Sequence, residues 1–123
     1  MAKLNINQLD ELLRIENATN EDLISELLGI FQLQLEEFMQ FSVVLLDDDA
    51  SFYQASQMAH RLKSSAGNLG MQEVELICLE IETLAKHQRF NSISKLLAKL
   101  HIESLLAAEE IRQFQYSILR GAA

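Results

Sequence analysis

Apolar residues recur every three or four positions along most of this chain, the spacing of helices that bury one face. Ile6, Leu9, Leu12 and Leu13 begin the pattern and predict a short helix over about 6–16, capped by Asn5 or Asn7. "NATN", 17–20, predicts a turn. Thr19 or Asn20 then caps a long helix to about Leu46, with Glu21 and Asp22 in its first turn. Its stripe is Ile24, Leu28, Phe31, Leu35, Phe38 and Leu45, flanked by Leu23, Ile30, Leu33, Phe41 and Val44. That surface is wider than one helix contact uses. "DDDAS", 47–51, ends this helix and caps a third over about 50–69, which Gly70 stops from the C′ position. A fourth helix, about 71–88, turns Val74, Ile77, Cys78, Ile81 and Leu84 inward. "QRFN", 88–91, leads into a last helix over about 92–119, with Ile93, Leu97, Leu100, Ala107, Ile111, Phe114 and Ile118 in its stripe. Short connections make successive helices antiparallel neighbours. The predicted fold class is all-α: an antiparallel up-down four-helix bundle, core about 20–118, with an additional short N-terminal helix.

Composition agrees with this pattern and narrows the function. The chain has 123 residues, no proline and four glycines, which fits a single helical domain over 1–123. A net charge of −8 repels phosphate backbones, so nucleic acid is not an expected partner. One cysteine, Cys78, excludes an internal disulfide and any multi-cysteine metal cluster. "MAKLNINQLDELL" has no signal-peptide core, and no apolar run is long enough to span a bilayer. A cytoplasmic protein without a membrane partner is expected.

One position does not fit a plain helical stripe. At about 100° per residue, Phe52, Ala55, Ala59, Leu62, Ala66 and Leu69 form the core face of the third helix, and His60 points roughly 130° from its centre. Ser56, Gln57, Lys63 and Ser64 lie one turn from His60, and Tyr53 and Gly67 two turns away. The histidine therefore stands on a partly solvated face of mostly small or polar groups. Lys63 is close enough to share a ligand with it and to balance charge on a phosphoryl group at a ring nitrogen. Gly67 costs a helix interior about 1 kcal/mol relative to alanine. Close approach of another molecule accounts for it, and so does fraying ahead of Gly70. On spacing alone, an ordinary solvated His–Lys pair accounts for the same residues.

The full string adds to this. "HRLKSSAGNLG", 60–70, resembles the signature of histidine-containing phosphotransfer (HPt) domains, H-x-L-K-G-S-[SA]-x-x-L-G. Of eight specified positions, seven match: His60, Leu62, Lys63, Ser65, Ala66, Leu69 and Gly70. The following "LICLEIETLAK" is similar to a family stretch, and the resemblance spans about 20–118. It implies that His60 accepts the phosphoryl group at Nε2, that Lys63 supports transfer rather than folding, and that Gln57, Arg61, Ser64 and Gly67 border a docking surface. It implies partners that are response-regulator receiver domains or a hybrid histidine kinase. Mg²⁺ would belong to the receiver, with no metal, nucleotide or other cofactor on this chain, which would act as a monomer. Ser64 departs from the family's glycine. It is still small, and its hydroxyl can donate to a phosphoryl group.

ATP-dependent self-phosphorylation is not expected, because the chain has no glycine-rich phosphate loop. A di-metal carboxylate bundle needs glutamate three residues before an inward histidine; Gln57, Leu84 and Ala98 precede His60, His87 and His101. The alternative function is an HPt-like helical adaptor that binds a receiver or kinase without being phosphorylated. Elsewhere, His87 reads as a helix C-terminal dipole partner and His101 as structural or solvated. Cys78 reads as core, and "LDDDAS" as a cap without the alternating spacing of a calcium loop.

Overall fold

The computed structural model describes residues 4–121. Five helices follow one another: α1 (Ile6–Thr19), α2 (Leu23–Val43), α3 (Asp49–Asn68), α4 (Gln72–Lys86) and α5 (Phe90–Gly121). The described residues contain no strand, only an isolated antiparallel bridge between Leu4 and Met71. The fold is all-helical, as the periodicity predicts. None of the described helices is long and apolar enough to cross a membrane.

Two boundaries differ from the sequence reading, for local reasons. Asn5 caps α1 by accepting from the Gln8 N–H at 3.3 Å. The helix then runs through "NAT" to Thr19, three residues beyond expectation. Asn20 closes it in the left-handed conformation at φ 59°, donating its N–H to the Glu16 carbonyl. It is thus a C-cap of α1 and not the start of α2. Glu21 and Asp22 precede α2, and Asp22 makes no side-chain cap bond. The cap comes from the preceding helix instead: Glu16 Oε2 accepts the Ile24 N–H at 2.6 Å. At its other end α2 stops at Val43, before the expected Leu46, yet Leu45 beyond it is still buried.

The α3–α4 connection follows the expected glycine stop in detail. Gly70 has φ +72°, its N–H donates to the Gly67 carbonyl, and the Met71 N–H donates to the Ala66 carbonyl. This pair of bonds is a Schellman motif, which satisfies carbonyls the helix end leaves open. The chain start is tied to the same turn. Asn5 N–H donates to Gly70 O at 2.7 Å, and Gln8 Nε2 donates to Asn68 O at 2.8 Å.

The core is built from the predicted stripes. Phe31 and Phe38 of α2, Leu62 of α3, Ile81 of α4, and Leu100 and Ile111 of α5 are buried, with Leu9 and Leu12 of α1 against them. Helix α3 faces this core with three alanines, Ala55, Ala59 and Ala66, all fully buried. Small residues let two helix axes approach closely, and α3 shares its most extensive interface with α4. Leu84 is only half-buried and Ile118 is exposed, so both stripes are narrower than the sequence suggests. This close α3–α4 pairing positions the site.

Candidate functional site

His60 and Lys63 project from successive turns of α3 toward α4. Glu82 on α4 receives both. Lys63 Nζ donates to Glu82 Oε1 at 2.7 Å, and His60 Nδ1 lies 3.0 Å from Glu82 Oε2. Lys86, one turn along α4, brings Nζ within 3.8 Å of that second oxygen. The side chain of Glu82 is 9% exposed and that of His60 is 58% exposed. The site is thus a solvent-facing imidazole standing on a buried carboxylate.

The carboxylate fixes the state of the ring. An ionised carboxylate only accepts hydrogen bonds, so Nδ1 carries the hydrogen and donates it. In the neutral imidazole, Nε2 then bears a lone pair and points away from Glu82. Burial by itself would raise the Glu82 carboxyl, but the hydrogen bonds from Lys63 and His60 outweigh it and hold the group below the usual carboxylate range. The anchor is therefore charged at neutral pH.

Its angle on α3 turns His60 away from the core, and it is exposed. Gln57, Arg61 and Ser64 are exposed beside it. Gln57 and Arg61 line a groove between α2 and α3 with Glu37, Tyr53 and Met58. Ser64 Oγ donates to the His60 carbonyl at 3.3 Å, so its hydroxyl is engaged with its own helix. A Cβ at Gly67 would meet only the end of the exposed Glu75 side chain of α4, which can swing aside, and α3 continues unbroken past it to Asn68, which excludes fraying.

Glu82 is the residue the sequence reading missed. It follows Ile81 and lies four residues after Cys78, both buried, so the inward arc of α4 includes a carboxylate. A glutamate on such an arc calls for a cation opposite, and α3 supplies one at the histidine motif. Among the other noted residues, Cys78 is buried, and burial pushes its thiol up to about 12. His87 caps α4 and its Nδ1 lies 2.9 Å from the Thr83 carbonyl, in line with a C-terminal role. His101 is exposed on α5.

Comparison with known proteins gives a consistent result. A family model, the Hpt domain, matches residues 6–114. Among solved structures, the histidine-containing phosphotransfer protein ZmHP2 from maize aligns with a TM-score of 0.76 at 18% identity, over 93% of this chain and 84% of that one. Histidine-containing phosphotransfer protein B (HptB) from Pseudomonas aeruginosa PAO1 aligns with a TM-score of 0.72 at 19% identity, over 93% of this chain and 95% of that one. No curated protein matches the chain.

Proposed function

The chain belongs to the Hpt domain family and is a histidine phosphotransfer protein of phosphorelay signalling; from this premise we propose that His60 is the residue that carries the phosphoryl group, at Nε2. The observation that supports this most is the Nδ1–Glu82 contact, which leaves the exposed Nε2 with a lone pair. In the forward step, that lone pair forms a bond to phosphorus as the P–O bond to a receiver aspartate breaks, its electron pair leaving on the carboxylate. The Nδ1 hydrogen stays on the ring, donated to Glu82, throughout. The phosphorylated ring is cationic, Glu82 balances it, and imidazole leaves as a neutral group in the reverse step. Reversibility therefore requires no proton transfer at this residue.

Lys63 is held beside the ring by Glu82 and balances charge on the arriving oxygens. Gln57, Arg61, Ser64 and Gly67 border the docking surface, which continues into the α2–α3 groove beside Tyr53. The partners are response-regulator receiver domains or a hybrid histidine kinase. The receiver brings Mg²⁺, and this chain contributes neither metal nor nucleotide. We take the architecture as an antiparallel up-down four-helix bundle with α1 laid against it, acting as a single-domain cytoplasmic monomer. The deciding experiment incubates the protein with a phosphorylated receiver. Label transfers to wild type and is lost in His60→Gln. Undiminished label in His60→Gln refutes the assignment, and receiver binding without label in wild type makes the protein an adaptor.

A further inference from the structure

Helix α5 carries an apolar patch on the side that the core does not use. Leu100, Ser104, Ala107 and Ile111 are buried and face inward. On the opposite side Ile102 is 57% exposed and Leu106 is 42% exposed, and Leu105 beside them is 55% exposed. Charge of opposite sign flanks the patch. Lys95 and Lys99 lie toward the helix start, and Glu109 and Glu110 lie beyond it. Lys95, Lys99, Ile102, Leu106 and Glu109 follow one another at alternating steps of four and three residues, the spacing of a seam that packs against another helix. None of the ion pairs among the described residues uses Lys95 or Lys99, although the chain holds 18 Asp and Glu against 10 Lys and Arg. Glu109 is held only from its own helix, by Arg112 at 3.5 Å and Gln113 at 3.0 Å.

We propose that this face of α5 binds the same face of a second copy of the chain, with the two helices antiparallel. The pattern complements itself only in that direction. Packing about the level of Ser104 sets Ile102 against Leu106 of the second copy and brings the two Leu105 side chains together. The same register sets Lys99 against Glu109 and Glu110 of the second copy, and the two-fold axis repeats each contact. Parallel helices would instead stack lysine on lysine and glutamate on glutamate. The ion pairs offset, at the contact itself, the repulsion between two chains of net charge −8. An unrelated helix would need a matching series of charges around an apolar centre, whereas a second copy carries that series by identity.

Its place in the fold separates this contact from the phosphoryl chemistry. Helices α2 and α4 each pack on both α3 and α5, which puts the outer face of α5 across the core from His60. Both histidines of a pair therefore stay open to receivers. The contact is small: three large apolar side chains from each copy fall well short of the roughly 20–30 residues a side of a stable interface. The pair is accordingly weak, with a Kd of about 10–100 μM. The monomer remains the dominant species at the lower concentrations of a transfer assay.

Sedimentation velocity of the full chain, from about 5 μM to about 1 mM, reads the association directly. Wild type moves from monomer to dimer across that range. Ile102→Glu stays monomeric with unchanged helix content, because it sets an acid against Leu106 of the second copy. Exchange of charges gives the sharper readout. Lys99→Glu by itself, and Glu109→Lys with Glu110→Lys, each weaken self-association about tenfold or more. An equal mixture of those two proteins pairs as tightly as wild type, since each then meets its opposite charge at both ends of the seam. Wild type that stays monomeric to about 1 mM overturns the proposal, and so does a dimer that Ile102→Glu leaves intact. A mixture that pairs no better than its components overturns the antiparallel contact. Each of these failures leaves the phosphotransfer reading standing, because labelling of His60→Gln decides that separately.

Discussion

Replacing Glu82 by glutamine changes one atom and tests how the site is wired. The carboxylate offers two acceptor oxygens, and Lys63 and His60 each use one. An amide offers one acceptor and one donor. Lys63 is always a donor, so the amide oxygen turns to it and the NH₂ faces His60 Nδ1. The ring then accepts at Nδ1 and carries its hydrogen on Nε2, the nitrogen that must attack. The Lys63 contact also changes from a bond to a charged acceptor, worth about 1.5–3 kcal/mol, to a bond to a neutral one, worth about 0.5–1.5 kcal/mol. The expected loss of stability is about 1 kcal/mol, or about 3–5 °C in melting temperature for a domain of this size. Phosphoryl acceptance falls more. A tautomer preference reversed by about 1.4–2.7 kcal/mol lowers the reactive fraction about ten- to a hundredfold. Nitrogen-15 spectra of the imidazole report the tautomer, and phosphoramidate loading reports the rate. A Glu82→Gln protein that keeps the Nδ1–H tautomer and loads at the wild-type rate refutes this account of the site.

The same carboxylate gives a pH signature. Its folded-state value lies below the ordinary one, so its stabilising contribution is complete above the unfolded carboxylate range and disappears as pH falls through the folded value. Thermal melts of wild type across that acidic window should therefore drop more steeply than those of Glu82→Gln; parallel curves would contradict the linkage. Gly70→Ala places a side chain at φ +72° with its Cβ 2.8 Å from the Asn5 carbonyl oxygen, so it should destabilise by more than about 1 kcal/mol in denaturant titration. Cys78, buried with its thiol pushed up to about 12, should resist alkylation at pH 8 in the native protein and react fully in denaturant. Rapid native labelling would show that the α4 core face opens.

Helix periodicity located the helices because each buries one face, and the stripes of α2 and α3 are the buried sets found in the fold. The boundary between α1 and α2 was not legible. The group that caps α2 is Glu16, eight residues before the N–H it accepts, and local capping rules look only a few residues away. At the site, rotation placed His60 on the exposed face, but rotation within one helix says nothing about what α4 brings opposite. Glu82 was hidden for that reason. The same partner bears on Lys63, for which the motif implies a part in transfer rather than folding. Its ammonium lies 2.7 Å from a buried carboxylate, which ties it to the packing of α3 on α4 as well.

The tie between the chain start and the α3–α4 turn has a kinetic consequence. Gln8 and Asn68 meet across 60 residues, whereas His60 and Glu82 meet across 22 and Lys63 and Glu82 across 19. The loop-closure entropy of the long tie exceeds that of the His60–Glu82 contact by about 0.9 kcal/mol. Local contacts of this kind are the ones that form early in folding. The histidine, its lysine and their carboxylate thus belong to a single helical hairpin, and its closing turn is the one that the Asn5 and Gln8 bonds hold. The bonds from Asn5 and Gln8 therefore clasp the turn of a hairpin whose site contacts are the cheaper ones to close.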